Sequence, residues 1–252
     1  MSHARNRIIY IHGYEHHGQG YTMPAIESLV RSTLPNTCYS SYVEHWSPLM
    51  DTRNHTFKEV AEQLAQKIRD GGAYEKQYAV CHSMGGLIAR QMCLMPGVRF
   101  DGILTLCSPH EGTASWISVG SNYADWYFGA GPKSLIAESP DLRLLNESDE
   151  KHHRLYHCVG VECFGKTILH NGLNENDSVV ELKSQHLHTS NSPIQRYTMR
   201  VDYGNHDVPQ GATGDKLCPH NFVVDHAEDT SQGHISFDNT PLINAIRNCI
   251  KL

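Results

Sequence analysis

The chain has 252 residues, 39% of them hydrophobic, and a formal net charge of −6. That length suits one large α/β domain carrying at most a small insertion. It has no basic stripe, no run of like charge and no apolar stretch of membrane-spanning length, so nucleic-acid binding and a transmembrane segment are set aside.

The N-terminal stretch MSHARNRIIYIHG enters an apolar run directly, without the charged, apolar and small-residue stages of a signal peptide. The expected location is the cytoplasm, or outside the cell by a route that needs no signal peptide. Residues 7–11 read as a buried strand ending at His12-Gly13-Tyr14. Ile26, Leu29, Val30, Thr33 and Leu34 repeat at helical spacing behind Pro24, which a first helical turn accepts. Residues 37–45 form a second strand candidate. Phe57, Val60, Ala61, Leu64, Ala65 and Ile68 make an amphipathic stripe stopped by Gly71-Gly72.

The segment QYAVCHSMGGLIA, residues 77–89, carries the strongest chemical signal. An apolar strand stops at His82-Ser83-Met84-Gly85-Gly86 and an apolar helical run follows. Strand, sharp turn and helix in that order make a nucleophile elbow, which holds a serine hydroxyl clear of the sheet in a strained backbone. Small residues two before and two after the serine relieve the crowding. Gly85 fills the second position, and Cys81 stands where the usual pattern has glycine.

Residues 103–107 read as the next buried strand, closing at Ser108-Pro109. Strands alternating with helices predict a mainly parallel sheet with helices on both faces. From Ala114 to Asp149 the pattern loosens around Trp116, Tyr123, Trp126, Tyr127 and Phe128, as expected of a cap inserted in the single domain 1–252. Residues 155–161 resume a strand, residues 195–201 are expected to form the last one, and residues 204–233 read as a long polar loop. Leu242, Ile243, Ile246, Cys249 and Ile250 mark a terminal helix opened by Thr240-Pro241.

Of eight cysteines, Cys81, Cys93 and Cys107 sit in apolar patterns, and Cys158 and Cys163 alone raise the question of a bridge. The 18 histidines include the pairs His16-His17 and His152-His153. Adjacent loop histidines do not readily share one metal, and no HExxH is present, so no metal and no cofactor are expected.

A serine hydroxyl needs a base, a group that orients the base, and donors for the oxyanion. In this fold class the acid and then the histidine follow the serine. For the base, His234 on the loop before the terminal helix is preferred over His226, while His206 and His220 read as loop residues. For the acid, Asp177 in Asn176-Asp177-Ser178-Val179-Val180 is preferred, with Asp202 and Asp207 as alternatives. The expected oxyanion donors are the backbone N–H groups of Met84, next after the nucleophile, and of Tyr14, in the loop after the first strand.

His12-Gly13, CHSMGG, the loop Ser108-Pro109-His110-Glu111-Gly112-Thr113 and Asn176-Asp177-Ser178-Val179-Val180 together resemble the α/β-hydrolase lipases. The resemblance is closest to bacterial triacylglycerol lipases and the related GPI-inositol-deacylase-like hydrolases. Those families have a similar Pro-His-x-Gly-Thr loop and an Asn-Asp-Gly-x-Val acid motif, in which Ser178 here replaces glycine. The resemblance implies an α/β-hydrolase fold with Ser83, Asp177 and His234 as triad and Tyr14 and Met84 as oxyanion donors. It implies a serine hydrolase of the lipase or esterase type acting on a small-molecule or lipid ester. An amidase or thioesterase using the same triad, a non-catalytic binding protein on the fold, and a lipid-degrading effector remain the alternatives.

Overall fold

The structure is a computed structural model that describes residues 6–14, 23–34, 39–43, 52, 54–72, 74–113, 130–137, 139–149, 155–166, 171–174, 177, 179–187, 193–208 and 218–251. Its strands are β1 (Asn6–Ile11), β2 (Tyr39–Val43), β3 (Lys76–His82), β4 (Gly102–Leu106), β5 (Tyr156–Lys166), β6 (Asn171–Asn174), β7 (Ile194–Asp207), β8 (Ser231–Gln232) and β9 (Ile235–Phe237). Its helices are α1 (Pro24–Thr33), α2 (Phe57–Asp70), α3 (Met84–Cys93), α4 (Ala130–Ser134), α5 (Pro140–Asp149), α6 (Leu182–Gln185), α7 (Pro219–Asp225) and α8 (Thr240–Cys249).

The strands form one sheet in the order β2-β1-β3-β4-β5-β7-β9-β8, with β6 paired to β5. From β2 to β7 every neighbouring pair is parallel, while β6, β9 and β8 add antiparallel pairings. Side chains alternate across a pleated strand, so each parallel strand feeds two cores. Ile9, Ile11, Ala79 and Cys81 face the layer of α2, α3 and α5. Ile8, Tyr10, Tyr78 and Val80 face α1, α7 and α8. A sheet covered on both faces requires the continuous apolar runs seen in β1, β3 and β4. This is an α/β-hydrolase fold.

The helices start where their sequences dictate. Thr56 caps α2 by accepting from the Glu59 N–H while Glu59 reaches back to the Thr56 N–H, closing a capping box. Prolines occupy the first turns of α1, α7 and α8. The topology also fixes where a site can lie. From β1 the chain moves outward to β2, then crosses back to β3 on the other side of β1. The C-terminal ends of β1 and β3 therefore flank a topological switch point, the crevice where open α/β sheets bind ligands.

Two expectations for the C-terminal part need correction. β7 is not the last strand, because the β8–β9 hairpin follows and pairs with it. Residues 204–233 are not one irregular loop. They contain the end of β7, the helix α7 and β8. The aromatics Trp116, Tyr123, Trp126, Tyr127 and Phe128 and the histidine pairs lie outside the described residues. The second half of the insertion joins the first core through Leu135, Leu142 and Leu145. All seven described cysteines are buried, and Cys158 and Cys163 are not bridged to each other.

Candidate active site

The turn after β3 is built as its sequence requires. Ser83 has φ 52° and ψ −128°, a left-handed conformation that L residues rarely occupy. Its N–H donates to the Leu106 carbonyl at 2.9 Å, and its own carbonyl accepts from the Gly86 N–H at 3.1 Å. These bonds to β4 and α3 hold the backbone against its preference. Ser83 stands at the N-cap of α3, yet its hydroxyl makes no capping bond. The surroundings leave no room for side chains. A Cβ on Gly85 would meet the Ile11 carbonyl at 2.1 Å, and one on Gly13 would meet the Ser83 Cβ at 2.5 Å and its Oγ at 3.1 Å. The loop after β1 thus lies directly against the serine. Tyr14 is the next residue on that loop, and Met84 opens α3, where N–H groups have no intrahelical acceptor.

Asp177 is fully buried and fully engaged. One carboxylate oxygen accepts from the N–H groups of Val179 and Val180, at 2.9 and 2.7 Å. The other meets Nδ1 of His220 at 2.7 Å. The backbones are tied as well, with the His220 N–H donating to the Asp177 carbonyl at 3.2 Å. A carboxylate on Nδ1 fixes the proton there and turns Nε2 into the acceptor. His220 is the second residue of α7, where Pro219 opens the helix and Phe222, Val223 and Val224 bury its apolar side.

Two links bring this pair to the nucleophile. The ring of His82, immediately before Ser83, packs against the His220 ring at 4.8 Å between centroids, and His82 Nε2 donates to the His220 carbonyl at 3.0 Å. Burial first, and then the neighbouring His220, hold the His82 imidazole well below its ordinary pKa, so it remains neutral. The second link runs through Cys107, which follows the Leu106 carbonyl bonded to Ser83. Burial, and then the Asp177 carboxylate to which its thiol hydrogen-bonds, push the Cys107 thiol well above its usual range. His82, Cys107 and His220 bring metal-ligand atoms within 4.8 Å of one another.

The structure does not bring His234 to this cluster. It lies in the exposed turn between β8 and β9, its ring stacked on His206 at 3.8 Å. In the sheet order β9 is four strands from β3, which is about 19 Å at the usual spacing of about 4.8 Å per strand. His226 ends α7 with its ring against Phe222 at 4.5 Å. Asp202 bonds the Gly204 N–H in the β7 turn instead. The imidazole that meets Asp177 is therefore that of His220, while the ring of His234 stacks on His206. The preference for a residue just before the terminal helix pointed one element too late. The available signal was Cys218-Pro219 followed by Phe222-Val223-Val224, a helix start and an apolar face within a polar segment.

The loop after β4 is anchored below the site. His110 is fully buried, with Nε2 at 3.0 Å from the Thr105 hydroxyl and its carbonyl accepting from Arg90 at 3.3 Å. Arg90 also donates to Asn146 of α5 at 2.8 Å. Burial and then the Arg90 charge keep the His110 imidazole well below its ordinary pKa.

Residues 7–153, more than half of the chain, match the palmitoyl protein thioesterase family. The chain belongs to the palmitoyl protein thioesterase family. Protein SERAC1 of Danio rerio is 32% identical over 124 residues, covering 44% of this chain and 18% of that protein. The match thus spans under a fifth of that relative's length. Among solved structures, the mature lipase BlEst2 of Bacillus licheniformis superposes with a TM-score of 0.53 at 17% identity, covering 77% of this chain and 85% of that one. Phospholipase PlaB of Legionella pneumophila gives 0.52 at 12% identity, covering 96% and 63%. These likenesses carry the α/β-hydrolase fold. Among the described residues no helix is long and apolar enough to cross a membrane.

Proposed function

We propose that this chain cleaves carboxylic esters of small molecules or lipids through an acyl-enzyme on Ser83. His220 is the base, Asp177 orients it, and the backbone amides of Tyr14 and Met84 receive the oxyanion. The Asp177–His220 pair beside the strained Ser83 elbow is the observation that carries this reading. Ser83 Oγ attacks the acyl carbonyl as His220 Nε2 takes its proton. Asp177 stabilises the resulting imidazolium, which then gives the proton to the leaving oxygen. Water repeats the cycle to release the acid. The whole chain, 1–252, is read as one domain, with residues 114–149 as a cap inserted after β4.

The family match favours a second reading, in which the bond broken is a thioester. The same residues serve it. A thiol leaving group has a pKa of about 8.5, so its departure depends less on the proton that His220 returns.

The test uses p-nitrophenyl esters and acyl thioesters of graded chain length on the wild type, Ser83→Ala, His220→Ala and His234→Ala. Ser83→Ala and His220→Ala are expected to abolish turnover, and a fluorophosphonate probe to label Ser83. Activity that survives in His220→Ala and disappears in His234→Ala refutes the base assignment. A residual rate in His220→Ala that is larger for thioesters than for esters supports the second reading.

A further inference from the structure

We propose that His82, Cys107 and His220 form an inhibitory site for a thiophilic divalent cation, with Zn2+ as the type ligand. The inference rests on the reading of His220 as the base. A ligand atom from each residue lies within 4.8 Å of the others, and all three residues are buried. Zinc holds imidazole nitrogen at about 2.0–2.1 Å and thiolate sulfur at about 2.3 Å, which places tetrahedral ligands about 3.3–3.6 Å apart. The cluster therefore closes on an ion by a shift of about 1 Å per ligand, within the reach of side-chain rotation. One imidazole, one thiolate and a second imidazole are a ligand set that suits zinc, and a fourth position stays open for water, as in three-ligand zinc sites.

Charge favours the same occupant. Burial first, and then the neighbouring Asp177 carboxylate, hold the Cys107 thiol well above its usual range, so without an ion it is neutral. A dication reverses that balance. Two positive charges offset one thiolate and one carboxylate, and both histidines bind as neutral ligands. On binding, the Cys107 S–H bond breaks, its electron pair goes to the metal, and the proton leaves to solvent.

Either ring nitrogen of His220 leads to inhibition. Coordination through Nε2 occupies the lone pair that would take the serine proton. Coordination through Nδ1 displaces the Asp177 carboxylate that orients the ring. Ser83 and His220 keep 7% and 6% of their surface exposed, so the cluster touches solvent on the side of the nucleophile. None of this geometry follows from the acyl-transfer chemistry, which requires neither a thiol nor a second imidazole.

The test pairs inhibition with a readout of binding that does not need turnover. ZnCl2 is titrated into the ester assay of the full chain, each variant referred to its own metal-free rate. CoCl2 is titrated in parallel and followed by its thiolate-to-cobalt charge-transfer absorption. Wild type is expected to lose turnover at micromolar Zn2+ and to show the cobalt band. Cys107→Ala and His82→Gln are each expected to raise the inhibitory concentration at least about 10- to 100-fold, and Cys107→Ala to abolish the band. Should Cys107→Ala not fold, Cys107→Ser serves the same comparison. A wild type with no cobalt band, a band that persists without the Cys107 thiol, or ester turnover indifferent to Zn2+ overturns the site. A protein that binds cobalt through Cys107 yet hydrolyses no ester or thioester leaves the metal site standing and refutes the hydrolase reading instead.

Discussion

At the scale of single residues, Ser83 stores strain that its neighbours sustain. A non-glycine residue at φ 52° costs on the order of 1–3 kcal/mol, and the conformation persists because its backbone is bonded to Leu106 and Gly86 while Gly13 and Gly85 let residues 11–13 pack against the turn. Gly85→Ala sets a Cβ 2.1 Å from the Ile11 carbonyl, where neither backbone has room to yield. That variant is expected to lose at least about 2 kcal/mol of stability, in line with overpacked cores, and most of its activity. Urea denaturation with a parallel ester assay measures both, and a fully stable, fully active variant contradicts the packing. Asp177→Asn is the complementary substitution. It preserves shape but loses the charge that fixes the His220 tautomer, so kcat is expected to fall about 10³- to 10⁴-fold while the thermal midpoint moves little. The strained turn at Ser83 and the tight turn at Asp177 were legible in the sequence because a strand-turn-helix and an Asn-Asp turn are local patterns. The contact of His220 with Asp177 was not, because nothing within the His220 segment reveals that Asp177, 43 positions earlier, meets its ring.

At the scale of elements, the parallel strands and α1, α2, α3 and α8 declared themselves through apolar runs and helical stripes. The part that stayed hidden is α7, seven residues long and set in a polar stretch. A helix that short has little intrinsic stability, so tertiary contact must hold it in place. Phe222 supplies that contact. It is fully buried and meets Phe237 of β9 edge to face at 5.8 Å between centroids. Phe222→Ala is expected to cost about 3–5 kcal/mol of stability. Hydrogen exchange should show α7 opening before α8, with activity falling through displacement of His220. If activity and α7 protection both survive, the helix is not anchored as described. The capping box of α2 offers a control remote from the site. Thr56→Ala is expected to lower stability by about 1 kcal/mol and to leave turnover per folded molecule unchanged.

At the scale of the whole molecule, buried imidazoles decide how the protein meets acid. His82 and His110 are held well below their ordinary pKa by burial first, and then by His220 and Arg90 respectively. Burial, with a smaller contribution from Lys251, lowers His157 to about 4. In the unfolded chain these imidazoles bind protons as the pH falls below 6.5, whereas the folded protein leaves His157 neutral until about pH 4 and keeps His82 and His110 neutral well below 6.5. Between those limits the unfolded state holds more protons, so stability rises with pH and declines as acid is added. Each fully buried histidine contributes at most about 1.4 kcal/mol per pH unit to that slope. Urea midpoints measured from pH 7.5 downward are expected to hold level to about pH 6.5 and then fall steadily toward pH 4. His157→Gln, at the position with a stated window, is expected to flatten the slope between pH 6.5 and about 4 while leaving the level region unchanged. A midpoint that stays constant down to pH 5 would mean that these rings gain protons in the folded state, and that the interior around Ser83 is wetter than its packing implies.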